Sequence, residues 1–128
     1  MNIHENEISE RIIGAAIEVH RSLGPGLLES VYEEALCHEF ELQHIRFERQ
    51  KSLPIEYKGA KLATNLRLDL LVEGKVIVDI KAKNEMSEID HVKTLTYLRL
   101  SGTRLGLNIN FHEPRLVDGI KRIVNNLK

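Results

Sequence analysis

Hydrophobic positions change their period along this chain, and each change marks an element. Ile8, Ile12, Ala15, Ala16, Val19 and Leu23 recur at helical spacing. Gly24 follows where a left-handed residue would close a helix, so a first helix is predicted from about Glu7 to Leu23. After Gly24-Pro25-Gly26, a stripe of Leu28, Val31, Tyr32, Ala35, Leu36 and Phe40 predicts a second amphipathic helix ending near His44. The pattern then becomes extended from Phe47 to Tyr57 and from Lys61 to Val72, with Gly59 turning the chain between two antiparallel strands. Glu73-Gly74 leads into a third strand, Lys75 to Lys81, with Val76, Val78 and Ile80 on one face and Asp79 and Lys81 on the other.

Ser87 is placed to cap a helix carrying Ile89, Val92, Leu95 and Leu98, with Asp90 a weaker substitute for the usual capping-box glutamate and Gly102 as its end. Arg104 to Phe111 alternates as a strand with Leu105, Leu107, Ile109 and Phe111 on one face. Pro114 then introduces a last helix bearing Leu116, Ile120, Ile123, Val124 and Leu127. The order is α-α-β-β-β-α-β-α, which predicts an α/β fold of layered α+β type with helices flanking a mixed, mostly antiparallel sheet.

Composition narrows the setting. A chain of 128 residues, 42% hydrophobic and 29% charged, suits a single domain spanning 1–128 with its own core. The net charge of −1 supplies no global field for nucleic acid, so such binding would need a local basic patch. Cys37 is alone, which excludes an intramolecular disulfide, and the N-terminal stretch is too short and charged for a signal peptide. No apolar run approaches the roughly 20 residues that span a bilayer. The expectation is a soluble cytoplasmic protein in a reducing compartment, with no membrane partner.

Against this ordinary background, Asp69 and the segment Val78-Asp79-Ile80-Lys81 interrupt strands that should otherwise be seeking a core. Two acids and a lysine on adjoining strands form a candidate metal site aimed at phosphate. Whether the acids meet depends on the turn. A two-residue turn at Glu73-Gly74 would pair Val72 with Lys75 and put Asp69 and Asp79 on opposite faces. A three-residue loop, Val72-Glu73-Gly74 with Gly74 left-handed, pairs Leu71 with Lys75 and leaves Asp69, Asp79 and Lys81 on one face, and this bulged turn is predicted. Two carboxylates approaching to 4 Å would repel by about 4 kcal/mol at an effective dielectric of about 20, a penalty a divalent cation removes.

The run Gly26-Leu27-Leu28-Glu29-Ser30-Val31-Tyr32 carries the GxxExxY signature, and the chain resembles the family of small prokaryotic proteins named for it. The resemblance continues through Arg67-Leu68-Asp69-Leu70-Leu71-Val72, Val76-Ile77-Val78-Asp79-Ile80-Lys81, Tyr97-Leu98 and Leu105-Gly106-Leu107-Asn108-Ile109-Asn110-Phe111. That family lies in the PD-(D/E)XK nuclease superfamily. The resemblance implies a restriction-endonuclease-like core, Glu29 as the acid of the first core helix, Asp69 as the first motif acid, and Asp79 with Lys81 as the D/E-x-K motif. It also implies metal-dependent phosphodiester hydrolysis with Mg²⁺ or Mn²⁺ held by Asp69, Asp79 and Glu29, and DNA or RNA as substrate. Two positions depart from the pattern: Asp79 stands where glutamate is more usual, and Lys93 where glutamine is expected, with His91 beside it.

Read singly, these residues have plainer accounts: Glu29 as a carboxylate favouring a helix N-terminus, Asp69 as an edge-strand charge or a partner for Arg67, Asp79-x-Lys81 as a solvent-facing pair. Arg67, Lys83, His91, Lys93 and Arg99 could frame the site for a nucleic-acid backbone or form a solvated polar face. Tyr32 is expected to face the core with its hydroxyl near the site. Two other functions compete with the nuclease: an inactive nuclease-fold module binding nucleic acid or a protein, and a homo-oligomeric protein joined through first-helix residues such as Ile12 and Val19.

Overall fold

A computed structural model describes residues 3–128. Two helices open the chain, α1 (Glu5–Leu23) and α2 (Glu29–Leu42). Strand β1 (Phe47–Leu53), a small hairpin of β2 (Glu56–Tyr57) and β3 (Ala60–Lys61), and strands β4 (Leu66–Val72) and β5 (Val76–Lys81) follow. Helix α3 (Glu88–Ser101) crosses to β6 (Leu105–Asn110), and a 3-10 turn (Leu116–Gly119) leads into β7 (Ile120–Val124). The main sheet has five strands in the order β1-β4-β5-β6-β7, and the hairpin stands outside it. Among the described strands only β5 and β6 pair in parallel, because α3 carries the chain back between them.

The strands alternate between two layers. Val76, Val78 and Ile80 of β5 and Leu105, Leu107 and Ile109 of β6 pack with Ile8, Ile12, Tyr32, Leu36 and Phe40 from α1 and α2 to make the main core. Ile77 and Ile123 face the opposite way and meet Leu98 of α3 in a smaller cluster. Gly106 lets α3 lie close there, since a Cβ would come within 2.9 Å of the Thr94 methyl. At the other edge of the fold, the buried Glu5 receives Arg104 Nε and Nη2 at 2.8 and 3.0 Å and ties the start of α1 to the strand below.

The mixed α/β architecture agrees with the sequence pattern through β6, and the final element differs. Residues after Pro114 form a 3-10 turn and an edge strand rather than a helix. Gly119 comes so close to the Asn110 carbonyl that a Cβ would lie 2.4 Å from it, so the chain turns sharply there. Beyond it, β7 pairs antiparallel with β6 along its length and covers hydrogen-bonding groups that a helix would have left as a bare edge. The spacing of Ile120 and Ile123 suits a helix, but an odd spacing on a strand sends them to opposite faces: Ile120 packs on the main core and Ile123 on the α3 side.

The apolar stripe of α1 is its buried face, whereas that of α3 is not. In α3, Asp90, Thr94 and Leu98 are the buried positions, while Ile89 and Val92 are exposed. The inward stripe is polar because the strand beneath it is polar: Thr94 Oγ1 donates to Asn108 Oδ1 at 2.7 Å, and Asn108 Nδ2 donates to the Asp90 carbonyl at 3.3 Å. In α1, Ile12 and Val19 are buried in the core, so they offer no surface for a partner.

Candidate active site at the fork between β4 and β5

The β4–β5 turn sets the site. Glu73 and Gly74 both have left-handed φ, 52° and 67°, and Lys75 N–H donates to the Val72 carbonyl at 3.0 Å. Val72 pairs with Val76, so the three-residue loop is Glu73-Gly74-Lys75 rather than Val72-Glu73-Gly74. Glu73 tolerates this backbone because it is anchored to Arg46: its N–H donates to the Arg46 carbonyl at 2.9 Å, and its carboxylate accepts from Arg46 N–H and Nε at 3.2 and 3.3 Å. The register is two residues from the expected one, which preserves every facing.

Strand pairing runs from Val72↔Val76 to Leu70↔Val78, and one further step sets Asp69 opposite Asp79. There the ladder opens. The Asp69 carboxylate, through Oδ2, accepts the N–H of Ile80 at 2.9 Å and so occupies a donor that a continuing strand would have used. The alternation of β4 breaks at the same place, with Leu70 packing on the main core and Leu68 joining the α3-side cluster. Across Asp69 on its other flank lies Gln50, the one position skipped between Arg49↔Leu70 and Lys51↔Leu68, and it has a left-handed φ of 52°. A residue without glycine's freedom held in that conformation beside a carboxylate pair is strain of the kind that surrounds functional sites.

Gln50 is held by Glu33. Nε2 of Gln50 and Nε of Arg49 donate to the buried Glu33 carboxylate at 2.8 and 2.7 Å. Glu33 lies one turn after Glu29 in α2, so both acids share a helix face directed to the fork. The turn before α2 is fixed by the Gly26–Tyr32 signature. Tyr32 stacks on Phe111 with centroids 4.6 Å apart, its hydroxyl donates to the Gly24 carbonyl at 2.5 Å, and it accepts Leu27 N–H at 3.1 Å. The Tyr32 hydroxyl therefore clamps the loop that presents Glu29 and is spent on that loop rather than on the acids.

On the α3 side, Lys81 Nζ lies 3.4 Å from Asp79 Oδ2 and 4.0 Å from Asp90 Oδ1. Asp90 takes more partners: Lys83 Nζ at 2.6 Å, Ser87 N–H at 2.9 Å and the Ser87 hydroxyl at 3.1 Å. The capping residue foreseen at the helix start thus also orients both lysines. Asp79 is the opposite case. Its Oδ2 is buried and has no hydrogen-bond partner, the lysine being near but not aligned to donate.

The titration of these groups follows from their surroundings. Burial, then the neighbouring Asp79 carboxyl, pushes Asp69 up to about 7, against the Ile80 N–H that favours its charged form. Glu29 is also raised, chiefly by desolvation, with Asp79 and Glu33 adding to the rise and Lys81 opposing it. For Asp90 burial acts upward, but Lys83 and the two Ser87 donors outweigh it and hold the acid down to about 2. Burial raises the lone Cys37 thiol to about 11, which removes it as a nucleophile at neutral pH.

Of the residues marked in the sequence, the structure brings Asp69, Asp79 and Lys81 together, with Glu29 exposed at the mouth between α2 and the sheet. Lys83 is committed to Asp90. Lys93 and His91 are exposed on α3, Lys93 Nζ lying 5.5 Å from the Tyr97 ring, and Arg67 is exposed on β4 without an ion pair to Asp69. Among the described residues no group of three or more His, Cys, Asp or Glu side chains is placed to hold a metal ion. The donor set that is present has the chemistry a hard cation takes: carboxylate oxygens, one of them buried without a hydrogen-bond donor, facing each other at an opened strand pair.

Sequence reasoning missed Glu33, Gln50 and Asn108. The spacing of four residues from Glu29 could have revealed Glu33, and the polar series Asn108 and Asn110 between the apolar residues of β6 could have revealed a polar layer beneath α3. Gln50 had no signal of its own, because it is defined by the register of three strands.

A mixed sheet opened at two facing carboxylates, with a lysine two residues beyond one of them, is an arrangement with the chemistry to hold a divalent cation against a phosphate. Residues 6–123 match the profile of the PD-(D/E)XK nuclease superfamily, and the chain belongs to that superfamily. No curated protein and no solved structure matches it significantly. Among the described residues, no helix is long and apolar enough to cross a membrane.

Proposed function

We propose that this protein is a divalent-metal-dependent nuclease of the GxxExxY group, hydrolysing phosphodiester bonds of DNA or RNA. The observation that carries this reading is Asp79 Oδ2, buried and without a hydrogen-bond donor although Lys81 Nζ lies 3.4 Å away, beside an Asp69 whose carboxyl is raised to about 7. Asp69 and Asp79 would hold Mg²⁺ or Mn²⁺, with Glu29 contributing through water. When bound, the cation neutralises phosphate and lowers the pKa of an attacking water.

The remaining parts follow from this chain's own groups. Lys81 stands between Asp79 and Asp90, so its ammonium is held in place to orient the attacking water or to meet the charge that grows on the phosphate. Asp90 and Lys83 form the bracket that positions it. Glu33, through Gln50, fixes the β1 backbone against which Asp69 rests. With Lys83 engaged, backbone phosphates are left to Arg67, His91 and Lys93.

The test is incubation with Mg²⁺ or Mn²⁺ and a panel of linear, circular, single-stranded and duplex DNA and RNA, alongside Asp79→Ala and Lys81→Ala. The expected result is cation-dependent cleavage that falls at least about 100-fold in both variants. Binding of nucleic acid without cation and without turnover on any substrate would instead assign the chain to a non-catalytic module that kept the fold.

A further inference from the structure

The hairpin β2–β3 has no part in the core. All four of its strand residues are exposed, it lies outside the five-stranded sheet, and a two-stranded hairpin of this size contributes little stability by itself. Its position is defined by the strands that carry it. Leu53, the last residue of β1, pairs with Leu66, the first of β4, so the hairpin leaves the sheet at that end. Because β5 runs antiparallel to β4, Lys81 at the end of β5 lies toward the same end. Asp69 is three residues inside Leu66, on the order of 10 Å along the strand. A groove of about 450 Å³ lined by Pro54, Ile55, Glu56, Lys61 and Leu100 separates the hairpin from the C-terminal end of α3.

Its chemistry differs from that of the rest of the chain. Residues 51–67 contain Lys51, Lys58, Lys61 and Arg67 against the single acid Glu56, a local charge of +3 in a chain of net −1. Lys51 pairs with Glu48, whereas Lys58, Lys61 and Arg67 have no ion pair among the described residues. At the tip, Lys58 and Gly59 have left-handed φ of 48° and 82°, a tight turn that fixes the tip. Tyr57 is 60% exposed beside it, with Lys58 Nζ 5.4 Å from its ring centre. A flat ring exposed among cations suits unpaired bases on a polyanionic backbone.

We propose that the β2–β3 hairpin is a single-strand grip: Tyr57 stacks on an unpaired base while Lys58 and Lys61 meet backbone phosphates and lead the strand toward the Asp69–Asp79 fork. This rests on the nuclease reading for the identity of the ligand, but it concerns residues outside the acid cluster. A duplex hides its base faces and gives Tyr57 nothing to stack on, so the grip selects unpaired strands.

The test is fluorescence anisotropy of labelled single-stranded DNA, single-stranded RNA and duplex DNA with metal-free protein, comparing the unaltered chain with Tyr57→Ala, Tyr57→Phe, a Lys58→Ala/Lys61→Ala double variant and Asp79→Ala. Tyr57→Ala is expected to weaken single-strand binding about 5- to 100-fold while Tyr57→Phe retains it, and duplex affinity is expected to be unchanged. The double lysine variant should lower the slope of log affinity against log salt by about 1.4 on single strands. Equal affinity of Tyr57→Ala and the unaltered chain for single strands, or an equal loss on duplex, overturns the grip. The nuclease reading fails separately: Tyr57-dependent binding by a protein that cleaves nothing leaves the grip standing, and cleavage lost in Asp79→Ala with Tyr57-independent binding leaves the nuclease without it.

Discussion

The two faces of the central sheet are built to opposite rules. Toward α1 and α2, Leu70, Val78, Ile80, Leu107 and Ile109 form a continuous apolar layer. Toward α3 the same strands present Asp79, Lys81 and Asn108, and the helix answers with Asp90 and Thr94. The first face satisfies itself by excluding water, and its stability is the sum of its contacts. The second contains a buried carboxylate oxygen with no hydrogen-bond donor and two acids across a broken ladder, a repulsion that Lys81 offsets from one side and that a bound cation or a proton would relieve further. The difference teaches that the charges gather at the fork beside the first turn of α3, where Glu29 and Glu33 also reach in from α2, while Leu68, Ile77, Leu98 and Ile123 keep the rest of the α3 side apolar.

The largest effect belongs to the apolar face. Leu107→Ala removes a fully buried side chain from the main core and should cost about 2–5 kcal/mol in urea denaturation. A change on the polar face should act in the opposite direction. Asp69→Asn keeps the shape of the side chain but removes one charge of the pair, so the metal-free protein should gain on the order of 1–2 kcal/mol at pH 8. Repeating that denaturation at pH 5 should erase most of the gain, because the native Asp69 already carries its proton there. A gain that persists at pH 5 would show that the two carboxylates do not repel.

The pH profile of the metal-free chain sharpens the same contrast within the polar face. Asp69 is raised from 3.8 to about 7, so its contribution is fully present below about pH 4 and is lost as pH rises through 7. Asp90 is lowered from 3.8 to about 2, so its contribution is present above about pH 4 and is lost as pH falls toward 2. Thermal melting should therefore show Asp69→Asn flattening the alkaline limb and Asp90→Asn flattening the acid limb. The smallest effect lies at α3, where Ile89→Ala and Val92→Ala should each change stability by less than about 0.5 kcal/mol, since the buried stripe is Asp90-Thr94-Leu98.

Much of this was legible in the sequence, and the failures share a cause. Helices α1 and α2, the alternation of β5 and β6, and the shared facing of Asp69, Asp79 and Lys81 follow from periodicity and turn chemistry, which are local. The loop of β4–β5 was placed one residue early because Glu73 takes a left-handed backbone only with Arg46 to anchor it, and Arg46 is 27 residues away. The last helix was a strand because the edge of β6 needed a partner, a demand that no window around Ile120 contains. The buried face of α3 was misjudged at Ile89 and Val92 because the layer beneath Asp90 and Thr94 is polar, whereas Leu98 meets the apolar cluster as expected. The site acids could be named, but Glu33 and Gln50, which shape their surroundings, appear only when three elements are assembled.

The central claim is that the α3 face of the sheet is completed by a divalent cation held between Asp69 and Asp79. Isothermal titration of Mn²⁺ into the unaltered chain and into Asp69→Asn and Asp79→Asn, at pH 7.5 and at pH 5.5, tests it most directly. The account predicts binding at pH 7.5 that weakens at pH 5.5, where Asp69 holds its proton, and that is lost in both variants. Binding that is indifferent to pH and survives loss of both acids would contradict it.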